Sequence, residues 1–219
     1  MNTALLFDLD GTLVDTDAEH LVAFQHVFAP HGVTLDREEY KAKIMGATND
    51  KIGQTFLSHL SPEQREETLL AKEIAYRAAV GELAPIAGAA ALLDWAVARG
   101  LACAVVTNAP RANADLVLKA IGFDQRLPIR VIGSELARGK PDPLPYLTGL
   151  ERTGARAEHS VAFEDSLPGA RAAVAAGLAV VGLTTTLGAA ELTGVGAVLA
   201  VADFTDPRIF ALIESRARG

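Results

Sequence analysis

Apolar residues fall in two rhythms along the chain. Short unbroken apolar runs at residues 4–7, 101–106, 129–132, 160–163 and 179–183 have the length and character of parallel strands buried on both faces. Segments 87–99, 113–121, 144–153 and 167–176 instead place apolar residues three and four apart, the spacing of a helix with one buried face. Gly100, Gly122, Gly154 and Gly177 follow these segments as stops. Strand and helix alternate, so the pattern predicts an α/β fold with a doubly wound parallel sheet.

The alternation breaks once. Residues 16–84 contain no convincing strand, and they read as four helices at 17–28, 36–44, 49–59 and 62–80, the last with Ser61 as N-cap and Pro62 in its first turn. The expected organisation is a Rossmann-like catalytic core from residues 1–15 and 85–219, with residues 16–84 inserted as a small α-helical cap domain. An insertion directly after the first strand is expected over the carboxyl ends of the strands, where open α/β sheets bind ligands, and to act as a lid. Residues from 203 onward read as a closing helix.

Composition narrows the class. Half of the 219 residues are hydrophobic and 21% are charged, the balance of a globular chain rather than a disordered one. The net charge of -7 and the lack of any long Lys or Arg block predict no nucleic-acid partner. An acidic protein binds an anionic substrate only if a metal ion and local cations reverse the field in the pocket. The one cysteine, Cys103, has no partner for an internal disulfide and lies in an apolar run, so a packing role is expected. The amino-terminal apolar run lacks a basic n-region and is broken by Asp8 and Asp10. The uncharged stretch 172–190 approaches the roughly 18 to 20 residues of a membrane span, but Gly177, Gly182, Gly188 and Thr184-Thr185-Thr186 divide it. The expectation is a cytoplasmic protein with no membrane segment, and a monomer.

The strongest chemical signal is Phe7-Asp8-Leu9-Asp10-Gly11-Thr12, where two carboxylates emerge from a buried strand into a glycine turn. A carboxylate at the position of Asp8 is placed to attack phosphorus in line, exchanging a stable ester for an acyl phosphate that water opens readily. Asp10, two residues on, is placed to protonate the leaving oxygen and then to take a proton from the hydrolytic water. An Asp-Gly turn that merely caps a helix is the plain alternative.

These residues, with Val14-Asp15-Thr16, resemble the first motif of the haloacid dehalogenase-like hydrolases. The second motif of that family, a Thr or Ser ending the next core strand, is matched by Thr107 in Val105-Val106-Thr107-Asn108, which implies that Thr107 and Asn108 bind phosphate oxygens. The third, a lysine, is matched by Lys140 in Gly139-Lys140-Pro141-Asp142-Pro143, implying a cation that offsets Asp8 and the transferring phosphoryl group. The fourth is matched by Glu164-Asp165 after the run Val161-Ala162-Phe163. Four acids around one phosphate require a hard cation, and the resemblance implies Mg²⁺ at Asp8, the Asp10 carbonyl and Asp165, with Glu164 beside them. The presence of Asp10 argues against the halide-removing branch. The motifs occur in family order and span essentially the whole chain.

The insertion resembles the small helical cap of the β-phosphoglucomutase and phosphoglycolate phosphatase relatives, in which cap residues select the leaving group. Met45-Gly46-Ala47-Thr48-Asn49-Asp50-Lys51 stands where the specificity loop is expected, with Gly46 allowing close approach, Thr48 as N-cap, and Asn49 and Lys51 as candidate substrate contacts. His20 aligns with a histidine that β-phosphoglucomutases place near the leaving group. The mutases carry basic residues on the cap loop where this chain has Met45 and Asn49. The resemblance therefore implies a Mg²⁺-dependent phosphatase acting on a small phosphorylated metabolite, a sugar phosphate or a phosphoglycolate-like compound. A sugar phosphate mutase is the alternative within the family. A phosphoacceptor signalling protein or a non-catalytic phosphate-binding protein is the alternative outside it, and the length and the helical insertion weigh against a signalling receiver.

Overall fold

The computed structural model describes residues 2–45, 47 and 49–217. The chain divides into two compact units, Thr16–Glu82 and the remainder, Met1–Asp15 with Leu83–Gly219.

The larger unit is built on six parallel strands: β1 Ala4–Phe7, β2 Ala102–Thr107, β3 Ile129–Ile132, β4 Val161–Glu164, β5 Ala179–Leu183 and β6 Leu199–Val201. Their spatial order is β3-β2-β1-β4-β5-β6. All five ladders are parallel, with Phe7 opposite Val105 on one side and Phe163 on the other. The chain winds outward from β1 in one direction and from β4 in the other, so the β1/β4 boundary is the switch point of a doubly wound sheet, where such folds bind ligands. Both strands are buried along their whole length, as their unbroken apolar runs predict.

The helices of this unit are α5 Ala89–Ala98, α6 Arg111–Ala120, α7 Leu144–Thr153, α8 Leu167–Ala175, α9 Ala189–Gly194 and α10 Pro207–Ala217. One apolar layer joins β1, β2, β4 and β5 to α7 and α8 through Leu6, Val106, Ala162, Val180, Tyr146 and Ala173. On a further face Phe7 stacks on Phe163 with centroids 4.8 Å apart, and Phe204 closes against both. Burial pushes the Cys103 thiol up to about 12, consistent with an inert packing residue.

The helical unit contains α1 Asp17–Phe28, α2 Arg37–Lys43, α3 Asn49–Phe56 and α4 Pro62–Ala79. Its own core gathers Phe24, Val27, Phe28, Leu35, Tyr40, Ile44, Ile52, Leu57 and Leu69. The α4 start has a complete capping box, in which Ser61 accepts from the Gln64 N–H and the Gln64 side chain accepts from the Ser61 N–H.

The structure departs from the sequence pattern in several details, among them the short helix α9, which the pattern did not predict. The strand β6 was absent from the predicted set, because three residues in an Ala- and Val-rich stretch give no periodicity to distinguish strand from helix. The helix predicted over 49–59 ends at Phe56, where Leu57 turns into the core. β2 and β4 each end one residue later than the apolar runs, at Thr107 and Glu164, the strand ends where the motifs place these residues. No helix among the described residues is long and apolar enough to cross a membrane.

Candidate active site

Four polar residues meet at the carboxyl ends of the central strands. Asp8 directly follows β1 and its N–H donates to the Phe163 carbonyl of β4 at 3.0 Å, so the ladder itself fixes where its side chain starts. Glu164 ends β4 and Asp165 follows it. Lys140 arrives from the segment between β3 and α7, and its Nζ donates to Asp8 Oδ1 at 2.6 Å and to Glu164 Oε1 at 2.5 Å. All four are buried.

The turn after β1 is shaped by Gly11. Its φ of 76° lies in the left-handed region, and its N–H donates to the Val14 carbonyl at 2.7 Å. A Cβ here would lie 2.1 Å from Asp165 Oδ2, so the glycine is also what lets the acid of the fourth motif approach the first. Asp165 is held by Thr12, whose hydroxyl donates to Oδ1 at 3.1 Å, and by the Thr186 hydroxyl on Oδ2. The Thr185 hydroxyl donates to the Gly11 carbonyl. Asp10 is partly buried and bridges Val14 within the same turn.

Glu164 is engaged at both oxygens. Oε1 accepts from Lys140 and from the Tyr146 hydroxyl at 2.7 Å, and Oε2 accepts from the Ser166 hydroxyl at 3.1 Å. Gly169 makes room for it, since a Cβ there would lie 1.9 Å from Oε1. Glu164 is thus the counter-charge to Lys140, and it also stands in one acidic group with Asp8 and Asp165.

Thr107 and Asn108 close the other side. The Thr107 Oγ1 accepts from the Ala109 N–H at 3.0 Å. The Asn108 amide pairs with the backbone of Lys140 in both directions, Oδ1 accepting from the Lys140 N–H and Nδ2 donating to its carbonyl, each at 3.1 Å. Its side chain therefore ties this segment to the backbone of Lys140.

The charges do not balance. Three buried carboxylates face one lysine, and oxygens of Asp8, Glu164 and Asp165 lie within 4.8 Å of one another. Burial, reinforced by Glu164 and Asp165 and opposed by Lys140, holds the Asp8 carboxyl well above its usual range. Burial and then Glu164 push Asp165 up to about 7, against the hydrogen bonds from Thr186 and Thr12. Burial works against the charge on Lys140, but Asp8 and Glu164 outweigh it and hold the lysine above its ordinary value. An all-oxygen, over-acidic cluster of this kind fits a hard divalent cation, which supplies the missing positive charge.

The residues expected to choose the substrate lie in the helical unit. His20, on α1, stacks on the ring of Tyr76 of α4 with centroids 4.0 Å apart and the ring planes nearly parallel. Asn49 and Lys51 are exposed in the first turn of α3. The expectations for Gly46 and Thr48 lie outside the described residues. The unit also holds a residue that the pattern gave no reason to single out: Lys72 is buried on α4, paired with Glu73 at 3.0 Å and 4.6 Å from the centre of the Phe24 ring. Thr186 and Tyr146 were likewise missed. Thr186 sits in a Thr-rich loop that read as a break between elements, and Tyr146 read as an ordinary buried helix position.

Residues 5–183 match the family described as haloacid dehalogenase-like hydrolase. The chain is 31% identical to validoxylamine A 7'-phosphate phosphatase of Streptomyces hygroscopicus subsp. limoneus, over 85% of this chain and 87% of that protein. It is 30% identical to a phosphoglycolate phosphatase of Xanthomonas campestris pv. campestris, over 80% of each. Its fold matches the crystal structure of CbbY from Rhodobacter sphaeroides in complex with xylulose-(1,5)bisphosphate, with a TM-score of 0.83, 30% identity, and coverage of 94% of this chain and 96% of that one.

Proposed function

This chain belongs to the haloacid dehalogenase-like hydrolase family, and from that premise we propose that it is a Mg²⁺-dependent phosphatase that hydrolyses a small phosphorylated metabolite through an aspartyl-phosphate on Asp8. The observation that carries the reading is the bridge from Lys140 Nζ to Asp8 Oδ1 and Glu164 Oε1. It fixes one oxygen of a buried carboxylate at the strand end and sets a cation beside the place where phosphoryl charge develops.

The Asp8 carboxylate attacks phosphorus, a new carboxyl–phosphate bond forms, and the ester bond breaks with its electron pair on the leaving oxygen. Asp10 donates a proton to that oxygen. Water then attacks the same phosphorus while Asp10 takes its proton, and the carboxylate of Asp8 returns as inorganic phosphate leaves. Lys140, the Thr107 hydroxyl and the backbone N–H groups beside it hold the non-bridging oxygens. Asp8, Asp165 and the Asp10 carbonyl would hold Mg²⁺, which when bound would neutralise the acidic cluster and the phosphate charge. The names of the relatives support a phosphorylated small molecule as substrate. Choice of the leaving group is proposed for His20, Asn49 and Lys51 from the resemblance of the helical unit to the family's cap.

The test is release of inorganic phosphate from a panel of sugar phosphates, sugar bisphosphates and phosphoglycolate, with Mg²⁺ or with chelator. Release that needs the metal supports the reading, and the best substrate defines the role. Interconversion of hexose phosphates without phosphate release would replace it with the mutase.

A further inference from the structure

We infer that Tyr146 is a positioning residue for Lys140, acting through Glu164; the inference rests on the phosphatase reading of this site. Tyr146 lies in the first turn of α7 and is fully buried. It touches the bridge at two points. Its hydroxyl donates to Glu164 Oε1 at 2.7 Å, the same oxygen that takes Lys140 Nζ at 2.5 Å, and its ring centre lies 5.1 Å from that ammonium.

A lysine ammonium has three donors. One serves Asp8 and one serves Glu164, which leaves the third for a phosphoryl oxygen. Glu164 is fully buried and its carboxylate competes with Asp8 for the lysine. The phenol limits that competition, because a donor on Oε1 takes up part of the charge that would otherwise draw the ammonium wholly to Glu164. The Ser166 hydroxyl does the same at Oε2, and Gly169, with no Cβ, leaves the space the carboxylate occupies. Tyr146 thus keeps Lys140 shared between the two acids, where its charge bears on Asp8 and the transferring group. The effect belongs to the chemical step, not to holding the metal or the substrate.

Tyr146→Phe keeps the ring and removes only the hydroxyl. Steady-state phosphate release with the best substrate of the panel is expected to show kcat lowered about tenfold, the size of losing one hydrogen bond to a charged group. KM and the Mg²⁺ activation constant are expected to stay within twofold and Tm within a few degrees. A kcat within twofold of wild type overturns the inference, and so does a loss that appears chiefly as a raised KM or Mg²⁺ constant. Should Tyr146→Phe not fold, Glu164→Asp withdraws the carboxylate from both donors and is expected to give the same kcat-only loss; a raised Mg²⁺ constant there would make Glu164 a metal ligand instead. An active wild type with an unaffected Tyr146→Phe removes this inference alone, whereas a wild type silent toward every substrate removes the phosphatase reading beneath it.

Discussion

Gly11 and Asp165 contend for the same space: a Cβ on residue 11 would sit 2.1 Å from Asp165 Oδ2, at a backbone φ of 76°. The two residues stand 154 positions apart in sequence, yet a side chain on residue 11 would displace the acid. Gly11→Ala is expected to cost about 1–3 kcal/mol of stability for the left-handed backbone alone. It should also displace Asp165 and raise the Mg²⁺ activation constant at least tenfold. Thermal melts and Mg²⁺ titration of activity measure both.

Lys140→Ala leaves Asp8 and Glu164 facing each other without their shared cation. Removing one partner of a buried ion pair costs about 3–5 kcal/mol, so the variant should melt well below wild type in chelator. Activity should fall by about a thousandfold, because the group that offsets phosphoryl charge is lost. Denaturant unfolding and phosphate release test the two effects separately.

Asn108→Ala tests whether the amide acts on the lysine. Its two hydrogen bonds go to the Lys140 backbone, so the variant should lose about 1–2 kcal/mol of stability and at least tenfold in kcat. Asn108→Asp keeps the acceptor but loses the donor and should also lose activity.

The pH dependence has a definite sign. Asp165 is raised from 3.8 to about 7 in the folded, metal-free protein, so folding binds its proton more tightly than the open chain does. The stabilisation from that proton is fully present below pH 3.8 and is lost as pH rises through about 7. The Tm of wild type relative to Asp165→Asn in chelator should therefore fall between about pH 4 and pH 7 and level off above it. Since Mg²⁺ and the proton compete for the same carboxylate, the Mg²⁺ activation constant should rise as pH drops below about 7. Paired melts with and without Mg²⁺ across this range check both statements.

The pattern of apolar runs carried the sheet because strands buried on both faces leave no alternation to misread, and the chemistry-bearing residues follow those runs directly. Asp8, Thr107, Glu164 and Asp165 could thus be placed on strand ends before any contact was known. The supporting contacts were not readable in this way. The amide of Asn108 reaches Lys140 across 32 positions, Tyr146 reaches Glu164 across 18, and Thr186 reaches Asp165 across 21, and each has the local signal of an ordinary turn, core or loop residue. Lys72 is the clearest case in the helical unit, since a lysine on a long polar helix is normally solvated, and its burial, its pairing with Glu73 and its packing on Phe24 set it apart.

The central claim, a covalent phosphate on Asp8, is tested most directly by the rate at which Asp8→Asn releases inorganic phosphate from the best substrate at saturating Mg²⁺. The account predicts a rate at least about a thousandfold below wild type, since the amide cannot form the acyl phosphate. Release within tenfold of wild type by a folded Asp8→Asn protein would contradict it.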